Sequence, residues 1–354
     1  MRALVTGATG LIGTPIVRAL VDAGHDARCL VRQTSLRDAL NGLPVTYVVG
    51  DVLHANGELD SACNGCDAVF HTAAHFAYGG FSSTELFDTA VMGTEAVLRA
   101  AARQRVAKVI VTSSSVVFGY GDRSASIDES AGPIDSDGEP PYVAAKVAQH
   151  RHARGLAKHL SLDVRFACPT MTIGPTHSRL GPSNGSIVAY LADPFGCTFP
   201  GGCNLVASRD VAAGHLLIAE HGRADESYLL GSGNMTWSEI HSMIAELAGV
   251  APPRLELNHA SAFLAAAAEE LRAFVSGGSA LSTREQAGMV GRFYWYSHAK
   301  AASLGYSPAP VRDAVVETIS WLAASPHITR EVRASMHLSN EIYRYRSSQM
   351  ARSP

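Results

Sequence analysis

A tyrosine and a lysine four residues apart, preceded by a cluster of hydroxyl side chains, are the residues of this chain best suited to proton transfer. Tyr142 and Lys146 would share one face of a helix, about one turn apart. A nearby ammonium favours the phenolate, so the spacing predicts that Lys146 lowers the pKa of Tyr142 from its usual value of about 10. Such a tyrosine can protonate a carbonyl oxygen as hydride reaches the carbon, or remove the proton in reverse. A hydroxyl from Thr112–Ser115 would hold the same oxygen.

A glycine-rich turn near the N terminus predicts a binding site for a dinucleotide. It follows a predicted strand and opens a predicted helix, which is the context that such a site requires. Gly7 permits a sharp turn, Gly10 lets a pyrophosphate approach backbone N–H groups, and Gly13 lets the helix lie close to the sheet. The alternative is a tight turn without a ligand, which the spacing of the glycines alone does not exclude. The residues predicted to bind the cofactor here are Gly7, Thr9, Gly10, Leu11, Ile12 and Gly13.

The end of the second predicted strand favours NADP over NAD. An acidic residue there would accept a hydrogen bond from the ribose hydroxyl of NAD, whereas an arginine would pair with the additional phosphate of NADP. This strand ends on Arg32, with no carboxylate beside it, and Arg37 could assist. We therefore predict NADP (NADPH) as the preferred cofactor, with NAD as the alternative if Arg32 is an ordinary surface residue.

The ends of the next predicted strands supply further candidate contacts to the cofactor. After the third strand, a carboxylate suits a hydrogen bond to the adenine amino group. After the fourth strand, small side chains leave room for the cofactor to cross the edge of the sheet. The candidates at these two strands are Asp51, Val52, Thr72, Ala73 and Ala74, and Thr112 adds a hydroxyl at the fifth.

These candidate residues lie where predicted strands end or predicted helices begin. Short β-branched runs alternate with longer helical patterns, and several runs are continuously apolar, as in a parallel sheet covered on both faces. The predicted strands are Arg2–Thr6, Ala27–Arg32, Thr46–Gly50, Ala68–His71, Lys108–Ser113 and Asp163–Ala167. The predicted helices between them are Leu11–Ala23, Leu36–Leu40, Thr84–Arg103 and Tyr142–Leu160. This alternation indicates an α/β fold with a doubly wound parallel sheet, which binds ligands at the carboxyl ends of its strands.

After Pro169 the pattern changes to short strand-like pieces between helices. The predicted helices of this part are Trp237–Ala248, Ala260–Val275 and Val311–Ala323. We predict a nucleotide-binding domain at 1–168 and a smaller α+β substrate-binding subdomain at 169–326, interleaved with the end of the sheet. Residues 327–354 are predicted to form a solvated amphipathic helical tail, with a subunit contact as the alternative.

Composition excludes several functional classes. The chain has 354 residues, a formal net charge of −3 and a pI near 6.6, so nothing draws it generally to nucleic acid or to an anionic membrane. No apolar stretch predicts a membrane span and no leader segment is visible, so we expect a cytoplasmic protein. Six scattered cysteines do not suit a disulfide scaffold, and the pair Cys63 and Cys66 favours packing over a metal or redox site. No histidine pair has metal-ligand spacing and no esterase elbow occurs, so no metal is predicted.

Together these motifs resemble the extended short-chain dehydrogenase/reductase superfamily, of the NAD(P)-dependent epimerase/dehydratase type. The resemblance spans about residues 1–325, and its motifs follow the order of that superfamily. They are Thr6–Gly13, Asp51, His71–Ala74, Ser113–Gly119, Tyr142–Lys146, Cys168–Pro175, Arg209–Ala212 and Tyr296–Tyr306. Within the superfamily, Val31–Ser35 and Asp210–Leu217 look most like the dihydroflavonol-4-reductase-like branch. That likeness implies a Rossmann fold and the reduction of a ketone or aldehyde with NADPH.

The resemblance also implies a role for each residue of the site. Tyr142 would be the acid or base, and Lys146 would bind the nicotinamide ribose and lower the pKa of the tyrosine. Ser114 would hold the substrate oxygen, with Ser115 as the alternative, and Pro169 would lie against the nicotinamide. The superfamily further implies a homodimer, formed through the predicted helices at 84–103 and 142–160.

Two departures from the superfamily pattern disfavour a sugar-nucleotide substrate. The helix expected to begin with Asn begins with Ala90, and Cys168 stands before Pro169 where sugar-nucleotide enzymes often have Asn, so two amides are missing. We predict an NADP(H)-dependent reductase or dehydrogenase acting on a hydrophobic or aromatic carbonyl compound. The predicted pocket walls are Met171, Ile173, Tyr190 and Phe293–Tyr296. The alternatives are a nucleotide-sugar epimerase or dehydratase with tightly bound NAD, and a catalytically silent NADP-sensing protein.

Overall fold

The computed structural model describes residues 1–54, 57–74, 82–121, 125–177, 180–276, 280 and 282–351. The last three residues of the predicted tail therefore lie outside the described residues. The strands are β1 (Arg2–Thr6), β2 (Asp26–Val31), β3 (Val45–Val49), β4 (Ala68–His71), β5 (Lys108–Thr112), β6 (Val164–Pro169), β7 (Met171–Ile173), β8 (Cys197–Thr198), β9 (Gly202–Ala207), β10 (Ser227–Leu230), β11 (Gly233–Thr236), β12 (Leu255–Glu256) and β13 (Phe293–Tyr294).

Helices cover the sheet and build most of the C-terminal part. They are α1 (Gly13–Asp22), α2 (Glu58–Cys63), α3 (Ser83–Phe87), α4 (Gly93–Arg103), α5 (Pro141–Leu160), α6 (Pro182–Ala192), α7 (Ser208–His221), α8 (Trp237–Ala248), α9 (His259–Ser276), α10 (Arg284–Ala287), α11 (Ala299–Ala302), α12 (Val311–Leu322), α13 (Arg330–Ser335) and α14 (Asn340–Met350). Among the described residues, no helix combines the length and the apolar character needed to cross a membrane.

Seven strands form the central sheet in the order β3-β2-β1-β4-β5-β6-β10, and every neighbouring pair is parallel. The chain first builds outward from β1 to β3 and then continues on the other side of β1 with β4. Ligands bind such sheets where the strand order reverses, at the carboxyl ends of the strands. The predicted α/β doubly wound fold is therefore confirmed, and the switch point lies between Thr6 and His71, which are paired neighbours.

Alternate residues of the central strands enter two separate cores, because successive side chains of a strand point to opposite faces. Ala3 and Val5 pack with Val17 of α1 on one face, and Leu4 packs with Leu98 of α4 on the other. Both faces are buried, as the continuous apolar runs of the sequence predict.

The predicted helix over 84–103 is interrupted. It consists of α3, a π-helical turn over Asp88–Met92, and α4. Such turns insert one residue into a helix and are frequent at functional sites. The hydroxyl of Thr94 donates to the Ala90 carbonyl within this turn, at 2.6 Å.

The C-terminal part contains a second sheet of β7, β9, β11 and β13, flanked by α6, α8 and α12. The chain returns from this part to the central sheet as β10, which pairs with β6. The C-terminal tail forms two helices rather than one solvated helix. Its α14 packs against α12, where Ile342 is fully buried and Arg346 donates to the Ser320 carbonyl.

Candidate active site

A cavity of about 720 Å³ opens at the carboxyl ends of β1, β4, β5 and β6. It brings together most of the residues that the sequence singled out. Those lining it are Gly7, Gly10, Leu11, Ile12, Gly13, Thr72, Ala74, Thr112, Ser114, Ser115, Tyr142, Lys146, Pro169, Met171 and Tyr190. Six other predicted site residues do not line the cavity: Thr9, Arg32, Asp51, Val52, Ala73 and Ile173.

The glycine turn leaves no room for side chains. Gly7 has a φ of +68°, and a Cβ there would lie 2.7 Å from Thr72 Oγ1. A Cβ on Gly13 would lie 2.1 Å from the Gly7 carbonyl oxygen, so the turn packs directly on the start of α1. The helix begins at Gly13 instead of Leu11, although the Thr14 N–H already donates to the Gly10 carbonyl. At Gly7 and Gly13 the turn therefore has room for backbone only.

The two candidate serines have different partners. Ser114 hydrogen-bonds with the hydroxyl of Tyr142, which comes from the first turn of α5. Ser115 hydrogen-bonds instead with Tyr296, whose own hydroxyl donates to the Gly119 carbonyl at 2.6 Å. A tyrosine hydroxyl has one hydrogen, so Ser115 is the donor to Tyr296. Ser114 is thus the serine that the fold places beside Tyr142.

The expected effect of Lys146 on Tyr142 is not found. Burial raises the pKa of Tyr142 to about 12 because a phenolate loses its hydration there, and only the Ser114 hydrogen bond opposes this. Burial also lowers the pKa of Lys146 to about 8. The ammonium is engaged elsewhere, since it donates to the Thr112 carbonyl at 3.2 Å and to Gln149 Oε1 at 2.9 Å. The spacing of the two residues along the helix does not reveal how far burial desolvates the phenol, and burial has the larger effect on its pKa.

Gln149 begins a buried network that the sequence analysis missed. Its Nε2 donates to Thr94 Oγ1 at 2.8 Å, and Thr94 donates its single hydroxyl hydrogen to the Ala90 carbonyl. His71 Nε2 lies 2.9 Å from the same oxygen, so the histidine must be the donor there. His71 Nδ1 is then an acceptor, and Thr6 Oγ1 donates to it at 2.8 Å.

This network joins Lys146 to the strand that leads into the glycine turn. Lys146, Gln149, Thr94, His71 and Thr6 are each at most 4% exposed. Burial, with the charge of Lys146, lowers the pKa of His71 to about 3, so its imidazole is neutral. Each hydrogen bond of this network has a defined donor and acceptor, so the network holds the side chain of Lys146 in one position. The spacing of Gln149, three residues after Lys146 on α5, was the available sequence signal.

Two other buried histidines support the end of β5. Thr112 Oγ1 lies 2.9 Å from His215 Nε2, and His215 Nδ1 lies 2.7 Å from the Val211 carbonyl. Ser113 Oγ lies 2.9 Å from His150 Nδ1. Burial lowers the pKa of His150 to about 3 and that of His215 to about 4. Both rings are therefore neutral supports of the hydroxyl-rich segment.

The candidate contacts to the adenosine half of a cofactor lie near the third and second strands. Arg32 is exposed after β2, and its backbone N–H donates to Ser35 Oγ. The guanidinium of Arg37 lies 4.9 Å from the centre of the Tyr47 ring. Asp51 accepts a hydrogen bond from the Leu53 N–H.

Aromatic side chains contribute to the part of the cavity that comes from the C-terminal region, beside aliphatic and polar ones. Tyr294 and Tyr296 line the cavity whereas Phe293 and Trp295 do not, as expected for alternating side chains of an extended segment. Ile173 was predicted as a pocket wall but is fully buried in the core, and Thr172 lines the cavity beside Met171. Further wall residues that the sequence analysis missed are Phe199, Trp237, His241, Leu257, Ala262, Ala266 and Met289.

The six cysteines are all free thiols. Burial raises the pKa of Cys63 to about 12 and also raises that of Cys66, whose Sγ donates to the Ala62 carbonyl. Both side chains lie in the core. The arrangement is that of packed, unreactive thiols.

Comparison with known proteins gives the relatives of this chain. The family model described as NAD dependent epimerase/dehydratase family matches residues 3–231. A putative dihydroflavonol 4-reductase of Synechocystis sp. is 28% identical over 323 residues, covering 90% of this chain and 93% of that protein. Sterol demethylase protein B of Methylococcus capsulatus is 32% identical over 258 residues, covering 73% of this chain and 77% of that protein. The crystal structure of gox2253 matches with a TM-score of 0.81 at 30% identity, covering 92% of this chain and 99% of that chain.

These relatives confirm the resemblance drawn from the motifs, including the likeness to dihydroflavonol reductases. They also agree with the fold, in which a parallel sheet brings a glycine turn, a serine, a tyrosine and a lysine to one cavity. The protein is accordingly an oxidoreductase of the extended short-chain type. The chain belongs to the NAD dependent epimerase/dehydratase family.

Proposed function

We propose that this protein uses NADP(H) to reduce the carbonyl group of a hydrophobic or aromatic small molecule. One observation carries the proposal: Tyr142, hydrogen-bonded to Ser114, shares a cavity with an aromatic wall. Among the described residues that line this cavity, Lys146 is the only lysine or arginine. A reductase of apolar carbonyl compounds needs this combination, because it requires an acid but no cationic substrate clamp.

The residues present fit a nicotinamide dinucleotide. The glycine turn exposes backbone next to the start of α1, where N–H groups and the helix dipole favour a pyrophosphate. Lys146 donates two hydrogen bonds to described residues, so its third N–H is left for a ribose hydroxyl in the cavity that it lines. Gly7, Gly10 and Gly13 would hold the pyrophosphate, and Pro169 would lie beside the nicotinamide.

In this proposal the bound dinucleotide supplies the hydride. Tyr142 carries the proton that the substrate oxygen needs, because a phenol with a pKa of about 12 stays protonated at neutral pH. Ser114 orients that oxygen toward the phenol. Lys146 holds a positive charge below its pKa of about 8 and lines the same cavity, and this charge favours the oxyanion that develops on the substrate.

The cavity wall argues against a nucleoside diphosphate substrate. Two phosphates are normally bound by arginine or lysine, and Lys146 is the only such residue among the described residues that line the cavity, although the first turn of α6 reaches it with Pro182 and Ser183. The name of one relative places it in sterol demethylation, and that of another in dihydroflavonol reduction. Both names describe work on ring systems that are largely apolar, which supports the same substrate class here.

The decisive experiment measures NADPH oxidation with a panel of carbonyl compounds, from aromatic ketones to sugar nucleotides. We expect turnover with apolar ketones, and a loss of about a hundred- to ten-thousandfold in Tyr142→Phe. Binding of NADPH to Tyr142→Phe, followed by fluorescence, should persist and shows that the variant is folded. NAD that co-purifies and is not consumed would favour the epimerase or dehydratase alternative. Unchanged cellular activity of Tyr142→Phe would favour a sensor.

The preference for NADP rests on Arg32. Its side chain is exposed after β2, and only its backbone has a hydrogen bond among the described residues, so the guanidinium is available for a phosphate. We expect Arg32→Ser to lower the ratio of kcat/KM for NADPH over NADH by about tenfold or more. Wild-type turnover that is equal or better with NADH would refute this role.

We further propose that two copies associate through α4 and α5, as the superfamily resemblance implies. The segment leading into α4 exposes two large apolar side chains, Phe87 and Met92. Light scattering should give twice the chain mass of 37.3 kDa, and Met92→Glu should shift the protein toward the single chain. A wild-type protein that stays at the single-chain mass at micromolar concentration would refute the dimer.

A further inference from the structure

His241 stands in the aromatic wall of the cavity, defined here as Tyr190, Phe199, Trp237 and His241. Its ring stacks on Tyr190 with centroids 4.4 Å apart and an interplanar angle of 8°. The centroids of Phe199 and Trp237 lie 5.6 Å and 5.8 Å away. The side chain is therefore held on three sides, although it is not part of the network around Lys146.

One nitrogen of His241 is engaged and the other is not. Nδ1 lies 3.0 Å from Thr198 Oγ1, which belongs to β8. Nε2 has no hydrogen-bond partner among the described residues. It also keeps some accessible surface. His241 is only 4% exposed and lines the cavity, so the accessible surface of Nε2 faces the cavity.

Burial lowers the pKa of His241 to about 4, so the imidazole is neutral at physiological pH. Thr198 can either donate to or accept from Nδ1, which leaves both tautomers possible. A substrate hydroxyl can both donate and accept, so it satisfies Nε2 in either tautomer. A carbonyl or an ether oxygen would satisfy only one of them.

The neighbouring hydroxyl of Tyr190 does not compete for such a ligand. Its Oη donates to the Ala251 carbonyl at 3.0 Å, so its single hydrogen is already used. Asp193 is also occupied, because its two oxygens accept from the Phe195 and Cys197 N–H groups. His241 thus supplies a ring nitrogen that can both donate and accept according to its tautomer, whereas the indole N–H of the neighbouring Trp237 can only donate.

We propose that His241 Nε2 binds a hydroxyl group of the substrate, carried on an aromatic or alicyclic ring remote from the reacting carbonyl. The inference rests on the proposed function and narrows its substrate class to hydroxylated apolar ketones or aldehydes. The ring that carries the hydroxyl packs against Phe199 and Trp237, and the carbonyl lies at Tyr142. His241 is a specificity-determining residue and takes no part in proton transfer.

A matched pair of probes tests this subsite: 4-phenylcyclohexanone and its para-hydroxyphenyl analogue, which differ only in one hydroxyl. Isothermal calorimetry with NADP-loaded protein gives the dissociation constant of each. We expect the wild type to bind the hydroxylated ketone about tenfold tighter, as one uncharged hydrogen bond would allow. His241→Phe should lose this preference while still binding the unsubstituted ketone, and His241→Gln should restore part of it.

Tyr190→Phe is the matched control, since it removes a hydroxyl from the same wall that is already bound to Ala251. We expect this variant to keep the preference for the hydroxylated ketone. Equal affinity of the wild type for the two ketones, or no binding of the hydroxylated one, would overturn the subsite. Preferential binding without NADPH oxidation would retain the subsite and reject the reductase proposal, so the two failures are distinguishable.

Discussion

The wall of the cavity formed by the N-terminal part carries the serine hydroxyls, Tyr142 and Lys146 and is backed by buried hydrogen bonds, whereas the wall formed by the C-terminal part contains an aromatic cluster. On the first side, Lys146, Gln149 and Thr94 form consecutive hydrogen bonds of 2.8–2.9 Å, each with a defined donor. On the second side, Phe199 and Trp237 meet by ring contacts, and His241 offers an unengaged nitrogen. The hydrogen bonds of the first side fix the positions of the reacting groups. The ring contacts of the second side determine the shape of the substrate pocket.

The difference determines how each wall responds to substitution. Removal of one member of a buried hydrogen-bond chain leaves its partners unpaired, at a cost of about 1–3 kcal/mol each. A similar-sized apolar change in an aromatic wall alters volume and contact, and its cost is usually smaller. The predictions below test whether chemistry and cofactor binding depend on the first wall while substrate choice depends on the second.

The largest effect is expected at the glycine turn. Gly13→Ala places a Cβ 2.1 Å from the Gly7 carbonyl oxygen, so the turn must move away from α1. We expect NADPH affinity to fall by at least about a hundredfold, measured by fluorescence titration. Gly155→Ala is the matched control, because a Cβ there meets no atom within 4 Å and alanine favours a helix. Comparable cofactor affinity of the two variants would contradict the proposed cradle.

A second prediction breaks the polar wall in its middle. Gln149→Leu removes the acceptor of Lys146 and the donor to Thr94, so we expect kcat/KM to fall about tenfold or more. The alkaline limb of the pH–rate profile should also move to lower pH, since the lysine loses a group that stabilises its charge. The buried control Thr318→Val removes a hydrogen bond to the Ala314 carbonyl, and neither residue lines the cavity. This variant should lower the free energy of unfolding, but the alkaline limb of its pH–rate profile should stay where it is in the wild type.

The pH dependence of the wild type follows from Lys146. Its pKa is lowered to about 8 by burial, so the ammonium loses its proton as the pH rises through 8. We expect kcat/KM for ketone reduction to be level near pH 7 and to fall above about pH 8. Tyr142 does not contribute to this limb because its pKa is about 12. A rate that stays level to pH 10 would show that the charge of Lys146 is dispensable.

Acid should destabilise the folded chain as a whole, because buried neutral histidines support both sides of the cavity. Burial lowers the pKa values of His71, His150, His215 and His241 to about 3–4, so the unfolded chain takes up protons before the folded chain does. Stability is retained above the unfolded value of about 6.5 and is lost as the pH falls below it, by up to about 1.4 kcal/mol per pH unit for each histidine. Urea unfolding at pH 7 and pH 5 measures this loss. His150→Gln should reduce the loss of stability between the two pH values, because one of the buried neutral histidines is removed.

The smallest effect is expected on the aromatic wall. Phe199→Leu keeps an apolar side chain of similar bulk, and we expect KM for an apolar ketone to rise by only a few fold with kcat unchanged. A fall in kcat as large as that of Gln149→Leu would show that the two walls are not separable in function.

Sequence patterns predicted those features of the fold and the site that depend on residues close together in the chain. The ends of β1 and β4, the glycine turn and the tyrosine–lysine pair depend on residues close together in the chain, and they were placed correctly. The network beyond Lys146 was missed because α4, β4, β5 and α5 meet only in the folded chain, whereas Gln149 lies three residues after Lys146 on α5 and was overlooked. The raised pKa of Tyr142 was missed for the same reason, since burial depends on elements distant in sequence. Ile173 was misassigned because an apolar type alone does not distinguish a pocket from a core.

The return of the chain to the central sheet as β10 has a practical consequence for engineering. A fragment ending at residue 168 would leave the main-chain groups of β6 unpaired along one edge, which invites aggregation. A chimera of two relatives that is joined at a single point after β6 therefore cannot exchange one wall of the cavity for another. A chimera that imports a new substrate wall must bring its own partner for β6, or keep Ser227–Leu230 of this chain, so substrate range and solubility are inherited together.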